Sequence, residues 1–150
     1  MYEQNLAESA EARAYLEGRE ITSAGLYGRH RLGWSSGTLP DLLPEDGNVR
    51  DELTALGVLL DPSTGSGGRE RFEGCVVFPV FEPLQPDRVA TLYGRFTGTG
   101  NKRHVFLPDR PTGVWNLENC AALSELYLVE SAIDALSLEM CGVRNVVSIQ

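Results

Sequence analysis

The sequence has little cysteine, little histidine and no long apolar run, and each shortage removes a class of function. Cysteine occurs three times, at Cys75, Cys120 and Cys141, an odd and scattered set without a CxxC pair. That pattern reads as reduced thiols serving as small apolar residues, not as a disulfide framework. The two histidines, His30 and His104, stand at no recognisable zinc-ligand spacing from those cysteines, so no zinc site is expected. No stretch of eighteen apolar residues exists, and the N-terminus MYEQNLAESA has neither a basic n-region nor an apolar h-region. Membrane-spanning and secreted readings therefore fail, and a cytoplasmic location is expected. Positive charge is short as well: 13 Lys and Arg against 21 Asp and Glu leave −8 at pH 7, which excludes a uniformly basic nucleic-acid binder.

The distribution of charge says more than its sum. Residues 69–110 hold seven basic residues (Arg69, Arg71, Arg88, Arg95, Lys102, Arg103 and Arg110) against five acidic ones, leaving six against sixteen elsewhere. A phosphate-facing groove set into an acidic body is compatible with that arrangement. The chain's 150 residues amount to one domain, or to two small subdomains sharing a core.

Periodicity divides the chain into a helical first third, a middle of strands and a final α/β unit. Residues 6–18 read as one helix with Leu6, Ala10, Ala14 and Tyr15 on its inner face and Gly18 at its end. Thr22 or Ser23 starts a second helix that stops at Gly28, and Arg29-His30-Arg31 reads as a solvated turn. Residues 35–48 and 61–69, rich in Gly, Pro, Ser and Asp, read as loops, with a helix between them from an Asn48 cap to Leu56 and Gly57 at C′. From Arg69 the period falls to two. Cys75–Phe81 and Arg88–Phe96 read as antiparallel strands joined by the turn Glu82–Asp87, followed by a short strand at Val105–Leu107. Pro108–Thr112 reads as a rigid loop and Leu117–Ser124 as an acidic linker, while Trp34 and Trp115 read as packing residues.

The last stretch, ELYLVESAIDALSLEMCGVRNVVSIQ, carries the chemistry. Leu126–Val129 is a strand, Ser131 caps a helix with Ile133, Leu136 and Met140 at helical spacing, Gly142 closes it, and Asn145–Ile149 is a second strand. Strand, helix and strand make a βαβ unit with a parallel pair. Glu130 then stands at the carboxyl end of the first strand, the edge at which open α/β sheets place their sites. Asp134 follows one turn later. Two hard carboxylates at that spacing suit Mg²⁺, which binds through one or two carboxylates plus phosphate and keeps several waters. The plainer readings are a solvated edge residue for Glu130 and a helix-dipole charge for Asp134.

Six pieces in one order resemble the catalytic core of bacterial DnaG-type primases, most closely the primase-like Toprim proteins of mobile elements and phages. They are Ala14-Tyr15-Leu16 with Arg19-Glu20-Ile21, Leu53–Leu59, Arg71-Phe72 with Val77–Val80, Val89 with Tyr93-Gly94-Arg95, His104–Asn116, and Val129-Glu130 with Asp134-Ala135. The resemblance implies an α+β fold: an N-terminal mixed α/β subdomain with antiparallel strands over 1–121, then the first βαβ unit of a Toprim (Rossmann-like) parallel sheet over 122–150. It implies that Glu130 is the catalytic Toprim glutamate beside Mg²⁺ (or Mn²⁺), to which the spacing of Asp134 adds a supporting metal carboxylate. It places Arg95 and Lys102 along the nucleic-acid groove, with Arg103, His104 and Arg71 as further candidates for backbone contact from the sequence itself. Lys102, however, is followed by Arg103-His104-Val105 rather than the family's usual residues, and Arg71 also reads as a tie between subdomains and Arg95 as an ion-pair partner.

The implied partners are a single-stranded DNA template and ribonucleotides, with a replicative helicase as a further candidate. The family's glycine after the Toprim glutamate is Ser131 here, a basic residue it often carries is Cys75, and its later Asp-x-Asp pair and zinc ribbon are absent from these residues. The chain accordingly reads as a fragment ending inside the Toprim domain, inactive by itself. Two other readings stand beside it: a non-catalytic single-stranded-DNA-binding module of a phage or mobile-element replication protein, and another Toprim chemistry such as a nuclease or topoisomerase.

Overall fold

The computed structural model describes residues 1–44, 47–65, 67–99, 104–108, 113–120 and 122–149. The N-terminal helix is two helices, α1 (Tyr2–Glu8) and α2 (Ala10–Glu17). Ser9 divides them: its backbone is extended and its Oγ accepts from the Ala12 amide at 3.1 Å, the arrangement of a helix N-cap. The restart turns α2, so Leu6, Ala12 and Leu16 are buried while Ala10 and Ala14, expected on the inner face, are exposed. The next helix, α3 (Ala24–Arg29), begins where expected, with Ser23 Oγ accepting from the Leu26 amide.

Strand β1 (Gly33–Ser35) follows, and the segment expected as loop contains a short helix, α4 (Leu39–Leu42). Helix α5 (Asn48–Ala55) has Gly47, not Asn48, at its N-cap. Gly57 lies past its end at φ +76°, the left-handed position that favours glycine.

Strands β2 (Cys75–Glu82), β3 (Gln85–Phe96) and β4 (His104–Phe106) join β1 in a four-stranded antiparallel sheet of order β1-β2-β3-β4. Only Pro83 and Leu84 separate β2 from β3, a tighter connection than expected, because strand pairing runs out to Glu82↔Gln85. Alternation gives the sheet two apolar faces. Cys75, Val77 and Val105 pack with Phe72 on one; Val76, Phe78, Val80 and Tyr93 pack on the other.

The second face is covered by both ends of the chain. Leu16 and Leu26 reach it from the N-terminal helices, Leu32 from the segment after α3, and Trp115, Ile133 and Leu136 from the C-terminal third, in one contiguous core. The segment expected as a linker includes a turn of helix, α6 (Leu117–Cys120), which buries Cys120. Strand β5 (Tyr127–Val129), helix α7 (Ala132–Met140) and strand β6 (Val146–Ser148) form the expected βαβ unit, β5 pairing in parallel with β6. Met140 is partly exposed and the buried face of α7 runs through Ala132, Ile133, Ala135, Leu136 and Glu139 instead. Trp115 and Ser148 exchange backbone hydrogen bonds of 3.0 and 3.2 Å, tying β6 to the preceding chain.

Arg29-His30-Arg31 is not the solvated turn expected. His30 is 1% exposed, packs its ring 4.5 Å from Trp115, and places Nε2 at 2.7 Å from Glu139 Oε1, close but out of line for a hydrogen bond. Arg29 reaches the other oxygen of Glu139 at 3.1 Å, and Asn116 Nδ2 donates to Val146 O at 2.8 Å beside it. The helical α3 and the βαβ unit are thus joined by charge as well as by apolar packing. Arg31 turns outward to Glu3.

Candidate functional site

The site grows from the end of β5. Pairing with β6 stops at Val129, so Glu130 emerges at the strand's carboxyl end. Ser131 then does two things at once. Its Oγ accepts from the Asp134 amide at 3.2 Å, capping α7, and donates to Asp134 Oδ2 at 2.7 Å. The cap thereby fixes the Asp134 carboxylate in the first turn of α7, one turn beyond Glu130.

The opposite wall comes from the antiparallel sheet. Tyr93 and Arg95 stand two residues apart on β3 and so face the same side. His104 is paired with Arg95 across β4. Together with Arg19, which follows α2, these residues and Glu130, Ser131, Ile133 and Asp134 line one cleft of about 270 Å³. Two carboxylates and two guanidinium groups therefore line one cleft.

The cationic wall is held by its own contacts. Arg95 Nε donates to Tyr15 Oη at 3.2 Å, and its terminal nitrogen lies 2.7 Å from His104 Nε2. His104 Nδ1 is in turn 3.0 Å from Tyr93 Oη. The Arg19 guanidinium sits 5.5 Å from the centre of the Tyr15 ring, a cation–π contact that leaves its N–H groups available. Burial pushes the Tyr93 phenol upward against the pull of Arg95, so Tyr93 remains a neutral hydroxyl. Burial disfavours the Arg95 charge, but the bond to Tyr15 and its other phenolic neighbours outweigh this and raise it.

A larger and more apolar hollow of about 350 Å³ lies on the other face of the sheet, between Tyr2, Leu53, Val77, Phe81 and Leu92. Its charged side chains, Glu3 and Arg31, are paired with each other at 3.0 Å. Unlike charge lining one cleft, not volume, marks the smaller cleft as the candidate site.

Glu130, Asp134, Arg95 and His104, separated by up to 39 positions, are thus brought to one place. Arg71 is not: it donates to the Gly57 carbonyl and lines a separate hollow with Leu60, Arg69, Glu70 and Phe96. Lys102 and Arg103 lie outside the described residues. Sequence reasoning gave no site role to Tyr15, Arg19 or Tyr93. The signals were present: Tyr15 and Arg19 are four apart, the spacing of facing side chains on a helix, and Tyr93 shares the parity of Arg95.

For a metal, Glu130 and Asp134 offer two hard oxygen donors. Among the described residues no group of three or more His, Cys, Asp or Glu converges to hold an ion. The donor set therefore fits Mg²⁺ or Mn²⁺ completed by water and phosphate, and does not fit an all-protein cage.

No protein-family model matches the sequence, and no curated protein matches it. Among solved structures the likeness is extensive. A DNA primase domain from Pseudomonas aeruginosa superposes with a TM-score of 0.81 at 25% identity, over 98% of this chain and 50% of that one. The fold is that of the DnaG primase catalytic core. The zinc-binding and RNA polymerase domains of the Aquifex aeolicus primase give 0.81 at 24% identity, over 98% and 38% of the two chains. A DnaG primase catalytic domain bound to single-stranded DNA gives 0.79 at 22%, over 98% and 51%. The chain thus spans about half the length of most of the primase cores it matches.

Proposed function

We propose that this chain is the N-terminal subdomain and first Toprim unit of a primase-like protein, one that makes short RNA primers on single-stranded DNA. The observation that carries the reading is the single cleft in which Glu130 and Asp134 oppose Arg19 and Arg95. Phosphoryl transfer asks little covalent chemistry of a protein; it asks for neutralisation of charge and for alignment. Glu130 and Asp134 would hold Mg²⁺, which when bound supplies charge neutralisation at the triphosphate. Arg95, braced by Tyr15 and His104, would hold a phosphate in register. Arg19 would take a second phosphate, with Lys102 and Arg103 on the template backbone and Arg71 as an outlying contact. None of these groups reads base edges, which suits a protein that must accept many template sequences.

Support also comes from the relatives. One structure of this fold holds single-stranded DNA, and that of the Mycobacterium tuberculosis RNA polymerase domain, at TM-score 0.78, holds duplex with a 6-nucleotide overhang. Ribonucleotide substrates, a helicase partner, a mobile-element or phage setting and a cytoplasmic location belong to the same proposal. Because two carboxylates are a partial metal set, the chain alone is expected to bind template without polymerising.

A second reading, a non-catalytic single-stranded-DNA-binding module, is favoured by that same partial donor set. One experiment separates the two. Fluorescence anisotropy follows single-stranded DNA binding with and without Mg²⁺ for the wild type, Arg95→Ala and Glu130→Gln. The primase reading expects salt-dependent binding weakened by Arg95→Ala, and primer synthesis by the full-length protein abolished by Glu130→Gln. Primer synthesis that survives Glu130→Gln would sink it; full-length protein that binds DNA without synthesis, with or without Mg²⁺, would leave the binding module.

A further inference from the structure

His104 is the one imidazole in the cleft, and both its ring nitrogens are engaged. Nε2 faces the Arg95 guanidinium at 2.7 Å and Nδ1 faces the Tyr93 hydroxyl at 3.0 Å. A guanidinium has donors and no acceptor, so Nε2 must accept from it. The single ring proton of neutral imidazole then belongs on Nδ1, where it is donated to Tyr93 Oη. Tyr93 is buried, is held as a hydroxyl and stacks beside the His104 ring at 5.8 Å between centroids. The tautomer is therefore dictated by its neighbours.

We propose that His104 is a proton-operated positioning residue for Arg95. Neutral, it accepts from the guanidinium and fixes its orientation; protonated, it has no lone pair to offer and places a second cation beside Arg95. The bond between them is lost, the guanidinium N–H is released, and the cleft gains one positive charge. Among the described residues, the charged and titratable groups facing His104 include Tyr93 and Arg95 on β3, Tyr15 and Arg19 from α2 and its end, and Glu130 and Asp134 in the same cleft. Tyr15, the second partner of Arg95, keeps it tethered on its other side. Acidification through the histidine range thus converts a braced phosphate ligand into a freer and more cationic pair. This inference rests on the reading of the cleft as a phosphate site.

The test combines a direct measurement with a functional one. Imidazole ¹⁵N spectra of the protein at about pH 8, where an unperturbed histidine is neutral, show two residues, and His104→Gln identifies the signal of His104. The expected tautomer carries its proton on Nδ1; a proton on Nε2 overturns the proposal whether or not DNA binds. The functional arm measures the salt dependence of single-stranded DNA affinity at about pH 5.5 and about pH 8, either side of the ordinary histidine range.

One added phosphate contact steepens the logarithmic salt slope by about 0.7 for a single strand. The wild type is expected to show that increase on acidification. His104→Gln, whose amide oxygen still accepts from Arg95 but does not titrate, is expected to show one and the same slope at both pH values. An equal acid-induced change in wild type and His104→Gln overturns the proposal. Absence of any binding by the wild type overturns the phosphate-site reading instead, and the tautomer then decides the geometry alone.

Discussion

The Phe72 ring occupies the space where a side chain on residue 94 would begin. A Cβ built on Gly94 meets Phe72 Cδ1 at 2.6 Å and Cys75 Cβ at 3.2 Å. Glycine is required there by close approach of a fully buried ring, and the next residue is Arg95. Gly94→Ala should therefore push β3 away from Phe72, destabilising the fold by about 1–3 kcal/mol, the usual range for overpacking. Urea unfolding checks this, and Phe72→Leu in the same chain should recover part of the loss because the two sites touch.

Arg95 has a charge and a shape, and they can be separated. Arg95→Ala should lower the salt slope of single-stranded DNA binding by about 0.7, one backbone contact. Arg95→Lys should keep the slope but bind more weakly, because one ammonium cannot contact Tyr15, His104 and a phosphate in the planar fork that a guanidinium provides. Anisotropy titrations across a salt series distinguish the two variants.

Glu139 is a carboxylate 8% exposed with His30 and Arg29 on its two oxygens. Glu139→Ala removes the buried carboxylate that Arg29 pairs with and that faces His30, and should lower stability by about 3 kcal/mol, near the lower end for breaking a buried pair because Arg29 is partly solvated. The double variant Glu139→Leu/His30→Leu should lose less than the two single changes combined. Chemical denaturation of the four proteins closes the cycle.

Glu118 carries a signed pH prediction. Burial raises its carboxyl above the ordinary range, outweighing the opposing pulls of its own backbone N–H and then of His30, and among the described residues Oε2 has no hydrogen-bond partner. A carboxyl raised by folding favours the native state while protonated, so its contribution is present below the ordinary carboxylate range and is lost as pH rises through the raised value. Glu118→Gln should therefore stabilise the protein at neutral pH, by roughly 1 kcal/mol or less, and leave stability in acid unchanged. Thermal melts at several pH values test both halves.

The parts of the fold that were legible in the sequence are those fixed by local pattern. The βαβ unit with its Ser131 cap, the β2–β3 pair and the turn at Gly57 follow from periodicity and from residues with one conformational use. The break at Ser9 was hidden because the apolar residues on either side keep a nearly continuous helical spacing; only the serine hydroxyl decides it. The burial of His30 was illegible for a different reason. Flanked by two arginines it reads as solvated, and its partners Trp115 and Glu139 are supplied by distant segments. Glu130 and Arg95 were legible as candidates, but Arg19 and Tyr93 gained their place only when two sheets were set against each other.

The link from Arg29 to Glu139 spans 110 positions of sequence, and that distance has a consequence for the chain as it is made. At typical synthesis rates of about 5–20 residues per second, roughly 5–20 s separate the emergence of the two partners. Throughout that interval α3 and the sheet face that packs against it lack α7 and β6, and the imidazole of His30 lacks the Glu139 carboxylate. Until α7 and β6 are made, the apolar residues of the sheet that they cover stay exposed, so the length of that vulnerable period is set by the ribosome.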